Sequence, residues 1–317
     1  MIPEDLEAAE IPLDNLGEAS IVLITGGALR HRRLALRMRE AFGDRVVAWF
    51  VIPGREDSQG SLWSRLRWIR EHVKDRIQNL ENRGESLLSA PPTAPRGRFG
   101  KTVSSLLWLG KLYGKLRRHQ RSEKRILGPE TARLGMSLGF EPQRVADPRS
   151  EEFLAQMKAL SPDFIVTCGG PLLPLALLSS ARCAAINQHA GWSPNYKGAQ
   201  TVDFTLYHRD LDHLGATVHL MASGADSGPI LRRSHPCLLP WENAEDCFTR
   251  VVALGNELLI EALGEAVIKR RLIVFPQAPE RGRTFLAGDY SPLQHSSLQR
   301  DFSSGWLAKA LAQRSSL

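Results

Sequence analysis

Short apolar runs alternate with amphipathic stretches along most of this chain. Ile21–Thr25 is an apolar, β-branched run that leads into a Gly-Gly pair, and apolar residues then recur at helical spacing up to Phe42. Residues 45–52 form a second apolar run, which ends at a Pro-Gly pair. A strand, a helix and a strand in this order predict a β-α-β unit with a parallel pair of strands.

The same alternation resumes after residue 135. Strands are predicted at 144–146, 163–168, 183–186, 216–221 and 230–239, with the last a candidate hairpin partner, and helices at 151–160, 172–180, 198–208 and 244–269. This order predicts an α/β fold with an open, mostly parallel, Rossmann-like sheet. Ligands bind beyond the carboxyl ends of the strands in such sheets, so residues that carry chemistry should follow strands.

The segment between these two regions is strongly basic. Residues 54–135 hold 18 Lys and Arg against 8 Asp and Glu, whereas the rest of the chain holds 23 against 26. Helical patterns at 61–82 and 103–126 flank a Pro-rich loop. We therefore predict an N-terminal arm (1–19), the first part of the α/β domain (20–53), a basic helical insertion (54–135), the catalytic α/β domain (136–270) and a short C-terminal extension (271–317).

Composition narrows the class of protein. The 317 residues are 43% hydrophobic and 24% charged, which is typical of a globular protein and excludes a fibrous or wholly disordered chain. No apolar run approaches the ~20 residues that a membrane-spanning helix needs. The acidic N-terminus differs from a basic leader, so we expect a cytoplasmic protein. The four cysteines lack ligand-like spacing, so no metal site is expected.

Two stretches combine strands with residues suited to acyl transfer. Asn187 and His189 stand two positions apart, so in an extended chain their side chains point the same way. An amide donor beside an imidazole can hold and protonate an oxyanion. Asp226 lies in a glycine-flanked loop that could present its carboxylate to the same point. Each residue also has a structural explanation, because Asp between glycines is typical of a turn.

The order of these residues resembles a known family. The pattern reads Asn187-x-His189, Pro194 and Gly198, then Gly215-x-Thr217-x-His219, Asp226 and Gly228. It is similar to the folate-dependent formyltransferases, which include glycinamide ribonucleotide, methionyl-tRNA and nucleotide-sugar N-formyltransferases. The similarity is strongest over 162–239. Trp192-Ser193 precedes Pro194 where the family commonly has Leu. This residue pattern is closer to that of the sugar and uncharacterised branches of the family.

The resemblance implies a formyl donor, 10-formyltetrahydrofolate, and no metal. It further implies that an acceptor amine attacks the formyl carbon to give a tetrahedral intermediate, that Asn187 and His189 stabilise the oxyanion, and that Asp226 orients His189 and helps to remove a proton through water. The donor would be held by two loops, formed by Cys168, Gly169, Gly170, Pro171, Leu172 and Leu173 and by Met221, Ala222, Ser223, Gly224 and Ala225.

The acceptor is expected to be an amine of a small, anionic molecule, such as a nucleotide-linked amino sugar or another metabolite, with no role for nucleic acid or a membrane. Relatives use the first β-α turn for acceptor contacts, and a Gly-rich turn before a helix can bind phosphate. The candidate acceptor residues are Gly26, Gly27, Arg30, His31 and Gly198. A purely structural turn explains the glycine pair as well.

Three other functions remain open. Methionyl-tRNA formylation would suit the basic segment, although the tRNA enzymes append a barrel-like domain for which the residues after 271 are too few. Hydrolysis of the formyl donor is a second reading, but relatives that do this carry an extra N-terminal domain. A non-catalytic nucleic-acid-binding protein could use Trp63, Trp68 and Trp108 among the arginines. The insertion could also form a lid or a homodimer surface.

Overall fold

A computed structural model describes residues 7–52, 114–138, 140–170, 173–278, 281–286 and 289–315. The helix predicted at 61–82, the Pro-rich loop and the first part of the helix predicted at 103–126 lie outside the described residues. Pro171 and Leu172 also lie outside them. The division into an arm, an insertion and two parts of a catalytic domain stays a prediction.

The described residues form strands and helices in alternation. The strands are β1 (Ala9–Pro12), β2 (Ile21–Thr25), β3 (Val46–Val51), β4 (Gln143–Arg144), β5 (Phe164–Cys168), β6 (Ala184–His189), β7 (Tyr196–Gly198), β8 (Ala216–Leu220), β9 (Ile230–Ser234), β10 (Arg271–Val274) and β11 (Arg283–Phe285). The helices are α1 (Leu29–Phe42), α2 (114–126), α3 (Gly128–Leu138), α4 (Glu151–Leu160), α5 (Leu175–Leu178), α6 (Thr201–Tyr207), α7 (Ala244–Lys269), α8 (Pro292–Ser303) and α9 (Trp306–Ser315).

Seven strands form the central sheet, in the order β4-β3-β2-β5-β6-β8-β9. The pairs from β4 to β6 are parallel, and β8 runs antiparallel to both β6 and β9. The predicted α/β class and mostly parallel sheet are therefore confirmed. From β2 the chain adds β3 and β4 on one side of the sheet, and it then adds β5, β6, β8 and β9 on the other side. The strand order therefore reverses between β2 and β5.

Helices cover both faces of the parallel part, which explains why β2 and β5 are buried at every position. Ile21 and Leu23 point to one face and pack in the same core as residues of α1 and α7. Val22 and Ile24 point to the other, with Phe153 of α4. An alternation of side chains along one strand thus supplies two separate apolar layers.

Several predicted boundaries are wrong. The helix predicted at 198–208 begins at Thr201, because Gly198 ends strand β7. The strand predicted at 183–186 continues to His189, so Asn187 lies inside it rather than after it. The strand predicted at 230–239 ends at Ser234. In the predicted arm, β1 pairs antiparallel with β10.

Residues after 271 complete the framework of the cleft described below. Strand β11 pairs in parallel with β7, and Phe285 stacks on Phe204 of α6 with ring centroids 4.2 Å apart. Gly198 has a φ of 89°, and a Cβ atom there would lie 2.2 Å from the carbonyl oxygen of Phe285. The close approach of β7 and β11 therefore depends on glycine at this position.

Helix α1 is tied to α7 by charge as well as by packing. The Arg37 and Arg33 guanidinium groups each lie within 2.8 Å of Glu257 carboxylate oxygens. Burial raises the pKa of Glu257, but hydrogen bonds from Arg37 and Arg33 hold it below its ordinary value. Within the described part of the chain, no helix is long and apolar enough to cross a membrane.

Candidate active site

A cleft of about 450 Å³ opens at the carboxyl ends of β2, β5 and β6. Thr25 ends β2 and Thr167 lies near the end of β5, and both line the cleft at the point where the strand order reverses. Asn187, His189 and Asp226 line the same cleft. The structure therefore brings the three predicted catalytic residues together where an open α/β sheet places its ligands.

The Asp226 carboxylate lies at the centre of this cluster. Its Oδ1 is 3.2 Å from Asn187 Nδ2 and 3.3 Å from His219 Nε2. Its Oδ2 accepts the Gly198 backbone N–H at 2.8 Å and lies 3.3 Å from His189 Nδ1. Each carboxylate oxygen thus has two nitrogen neighbours, which fixes the plane of the group.

These neighbours also hold Asp226 in its charged form. Burial raises the pKa of its carboxyl group, but His189, His219 and the Gly198 N–H together hold the pKa well below its ordinary value. The residue adopts a left-handed backbone conformation with a φ of 48°. Asp tolerates this region better than most residues do, so the loop can turn and still carry a carboxylate.

His189 faces acceptors through both ring nitrogens. Its Nε2 is 3.0 Å from the carbonyl oxygen of Tyr196, and its Nδ1 faces the Asp226 carboxylate. A carbonyl and a carboxylate only accept hydrogen bonds, so both contacts are satisfied when the ring carries a proton on each nitrogen. Gly191 permits this placement, because a Cβ atom there would lie 2.2 Å from His189 Nε2.

The orientation of the Asn187 amide is fixed from two sides. The Thr167 hydroxyl donates to Asn187 Oδ1 at 2.8 Å, while Nδ2 faces Asp226 and lies 3.1 Å from His219 Nε2. The opposite orientation would place Oδ1 against the Asp226 carboxylate. The amide N–H group and the His189 ring therefore both contact the Asp226 carboxylate.

Sequence reasoning gave no role to Thr167 or His219. Thr167 is a hydroxyl residue in the otherwise apolar strand β5, which is the signal that could have drawn attention to it. His219 belongs to the quoted motif, and the antiparallel register of β6 and β8 places it opposite Asn187. Its Nδ1 donates to the Leu220 carbonyl at 2.8 Å, so its Nε2 faces the cluster.

Most residues of the two predicted donor-binding loops line the cleft, namely Cys168, Gly169, Gly170, Leu173, Met221, Ala222, Gly224 and Ala225. Ser223 is not among the lining residues of the described chain, and Pro171 and Leu172 lie outside it. Gly169 and Gly170 have φ values of 61° and 118°. A Cβ atom at Gly170 would meet none of the described residues within 4 Å, so they leave the backbone there open to a ligand.

The predicted acceptor residues divide between two places. Arg30, His31 and Gly198 line the cleft, whereas Gly27 lines a neighbouring cavity. Gly26 packs against the His31 ring, since a Cβ atom there would lie 2.7 Å from that ring. The Ala28 N–H donates to His31 Nδ1 at 3.2 Å. Burial, followed by Arg30, lowers the pKa of His31, so the ring is neutral and its Nε2 carries the proton.

Other lining residues come from segments that the motif does not include. Gln200, Asp203, Phe248, Thr284, Phe285 and Leu286 all line the cleft. Lys115 of α2 donates to Asp203 at 2.7 Å and to Gln200 at 3.1 Å. Helix α2 and the C-terminal strand β11 therefore help to build the site. Among the described residues, no group of three or more His, Cys, Asp and Glu is arranged to hold a metal ion.

Comparisons with known proteins agree with the motif. The family described as Formyl transferase matches residues 115–263. Methionyl-tRNA formyltransferases are similar in sequence: the one from Sulfurimonas denitrificans is 33% identical over 194 residues, covering 61% of this chain and 55% of the relative. The one from Thermodesulfovibrio yellowstonii is 29% identical over 163 residues, covering 50% of each. The chain thus spans about half the length of these curated relatives.

Solved structures of similar proteins include a 4-N formyltransferase from Francisella tularensis, which is 15% identical, with a TM-score of 0.48 and coverage of 86% of this chain and 79% of that one. The sequence match to the family covers the whole cluster of Asn187, His189, His219 and Asp226. Residues 115–263, which contain this cluster, therefore match the family described as Formyl transferase.

Proposed function

We propose that this chain transfers a formyl group from 10-formyltetrahydrofolate to an amine of a small, anionic acceptor. The observation that carries the proposal is the contact of Asn187 and His189 with one carboxylate, Asp226, in a cleft lined by two glycine-containing loops. Amide and imidazole donors at one point suit the oxyanion that forms when an amine adds to a carbonyl.

Each residue of the cluster has a distinct role in this proposal. Asn187 donates through Nδ2 to the developing oxyanion. His189 supplies a second donor, its Nδ1–H moving from the Asp226 carboxylate to the oxyanion. Asp226, which its depressed pKa keeps ionised at neutral pH, accepts through a water molecule the proton that the attacking nitrogen loses. Collapse of the tetrahedral intermediate then re-forms the carbonyl group, breaks the bond between the formyl carbon and the donor nitrogen, and passes that proton to the leaving nitrogen.

The donor side of the cleft fits a flat heteroaromatic ring. A cleft of about 450 Å³ lies in the usual range for small-molecule sites. The exposed main chain at Gly169 and Gly170 offers hydrogen-bonding groups at close range, and Leu173 and Met221 add apolar contacts. When bound, 10-formyltetrahydrofolate would supply the activated formyl group, and these residues would hold its ring.

The acceptor side carries positive charge. Arg30 lines the cleft, and it also lines the neighbouring cavity, which holds several more cations. Such a surface favours an acceptor with an anionic group remote from its amine. This is the reason to propose a small anionic acceptor, such as a nucleotide-linked amino sugar.

A tetrahydrofolate-release assay with the purified full chain tests the proposal. We expect release that depends on an added amine, with Asn187→Ala and Asp226→Asn each slower by about 100-fold or more. The exposed Asp147→Asn, which is outside the cleft lining, serves as a matched control and should behave like the wild type. Release at the same rate without any amine would indicate hydrolysis of the donor and contradict the proposal.

A second candidate function is formylation of methionyl-tRNA. It is favoured by the curated relatives, which are methionyl-tRNA formyltransferases at about 30% identity. A parallel assay with charged initiator tRNA separates the two functions. Saturable formylation of the tRNA, together with no reaction of small amines, would replace the small acceptor with tRNA.

A further inference from the structure

A second cavity, of about 1070 Å³, lies beside the cleft. It is bounded by the N-terminal turn of α1, one face of α2, helix α3 and Arg144 of β4. Arg30 lines both the cavity and the cleft, so the two share a wall. The cavity is therefore adjacent to the cleft in which the reaction is proposed to occur.

The charges around this cavity are one-sided. In the part of the chain that the structure describes, six cationic side chains line it, those of Arg30, Arg32, Arg117, Arg121, Lys124 and Arg144. Among the described residues, the lining contains a single carboxylate, that of Glu123, which is buried and accepts both the backbone N–H and the guanidinium of Arg30. Concave walls with charges of one sign concentrate the electrostatic field and attract counter-ions.

Helix α2 carries basic residues on two faces that have different surroundings. Lys115 and Arg118 contact Asp203 and Glu245 at 2.7 and 2.8 Å, and Arg125 contacts Asp246. These bases lie at helical spacing on one face and bind acids of α6 and α7, so they join α2 to the protein body.

The other face of α2 has the same spacing and a different environment. Arg117, Arg121 and Lys124 recur at intervals of four and three residues, are exposed, and line the cavity. Docking of the helix is already provided by the bases on the first face. Arg121 and Lys124 of the second stripe present guanidinium and ammonium donors to a space large enough for a nucleotide-sized molecule.

We propose that this cavity is a binding site for the phosphate groups of a small molecule. Guanidinium groups bind phosphate oxygens in pairs, and several cations around one concavity suit a diphosphate better than a single carboxylate. The proposal rests on the proposed function in one respect: the phosphate-bearing molecule is the acceptor, whose amine would extend past Arg30 into the cleft.

Calorimetric titration of the full chain with inorganic pyrophosphate tests the site without any turnover. We expect saturable binding that weakens with added salt. The double variant Arg121→Gln, Lys124→Gln should weaken binding roughly tenfold or more, the loss expected for two charge-assisted hydrogen bonds. Neither residue belongs to the cluster around Asp226. Both side chains are exposed, so the substitutions should not impair folding, and thermal unfolding checks this.

A double variant with the same loss of charge provides the control. Arg133→Gln, Arg149→Gln removes two exposed cations that do not line the cavity and should leave pyrophosphate binding within about twofold of the wild type. Equal weakening in both double variants would show a general charge effect and overturn the site. Absence of pyrophosphate binding to the wild type would overturn it as well.

Two further titrations identify the source of the phosphate. Tighter binding of uridine diphosphate than of pyrophosphate, lost in the same variant, supports a nucleotide-type ligand. Binding of tRNA with no binding of either small phosphate would overturn the proposal in favour of a nucleic-acid surface. Because these are binding measurements, their outcome is independent of formyl transfer. Pyrophosphate can bind to a protein that formylates no amine, and a protein that formylates an amine can fail to bind pyrophosphate.

Discussion

The hydroxyl group of Thr167 offers a sharp test of how the amide of Asn187 is oriented. Thr167→Val removes the donor to Asn187 Oδ1, a hydrogen bond of 2.8 Å, and keeps the shape of the side chain. Thr167 is buried in β5, so no bulk water replaces the lost donor. The amide is then held in its productive orientation by Asp226 and His219 alone.

The expected cost follows from the hydrogen bond that is lost. A neutral buried hydrogen bond contributes about 1 kcal/mol, and an acceptor left without its partner raises the cost to about 2 kcal/mol. If the whole cost falls on the orientation of Asn187 in the transition state, kcat should fall by roughly 5- to 30-fold. KM for both substrates should change little, because Asn187 acts on charge that develops during the reaction.

The tetrahydrofolate-release assay measures this effect, with thermal unfolding as the check on folding. Thr167→Ser retains the hydroxyl group and is the matched control, so it should recover most of the lost kcat. A Thr167→Val enzyme within about twofold of the wild type would refute the reasoning. So would a serine variant as slow as the valine variant, because that result would point to packing of the γ-methyl group.

Three more predictions follow from the same contacts. Because the pKa of Asp226 is depressed, its contribution to the free energy of unfolding is complete above about pH 4 and is lost as the pH falls below that value. The difference in Tm between the wild type and Asp226→Asn should therefore shrink on acidification, which calorimetry from pH 6 to 3 would measure. Gly198→Ala should destabilise the chain by about 1–3 kcal/mol in chemical unfolding, because of its φ of 89° and the clash with Phe285, whereas Gly264→Ala, whose Cβ atom meets nothing within 4 Å, should not. Glu257→Gln should lower stability by about 1 kcal/mol after allowance for solvent screening, and an unchanged unfolding midpoint would contradict a stabilising contact with Arg37.

The sequence predicted the elements that depend on local patterns. The helices at Glu151–Leu160 and Ala244–Lys269 and the strand at Ile21–Thr25 have the predicted bounds, because the periodicity of apolar residues acts over a few positions. It was less accurate where glycine serves a long-range contact. At Gly198, pairing with β11, a strand almost 90 residues away, extends β7, so the helix α6 begins later than predicted.

The sequence by itself also indicated the resemblance to the formyltransferases, and it predicted Asn187, His189 and Asp226 as a group, because the motif consists of residue types in a fixed order. Only the tertiary structure decided which atoms meet. The hydroxyl of Thr167 reaches Asn187 because β5 and β6 are neighbours, and His219 faces the cluster because of the register of β6 and β8. Such contacts join residues 20 to 32 positions apart, and their geometry depends on strand order, which no local pattern encodes.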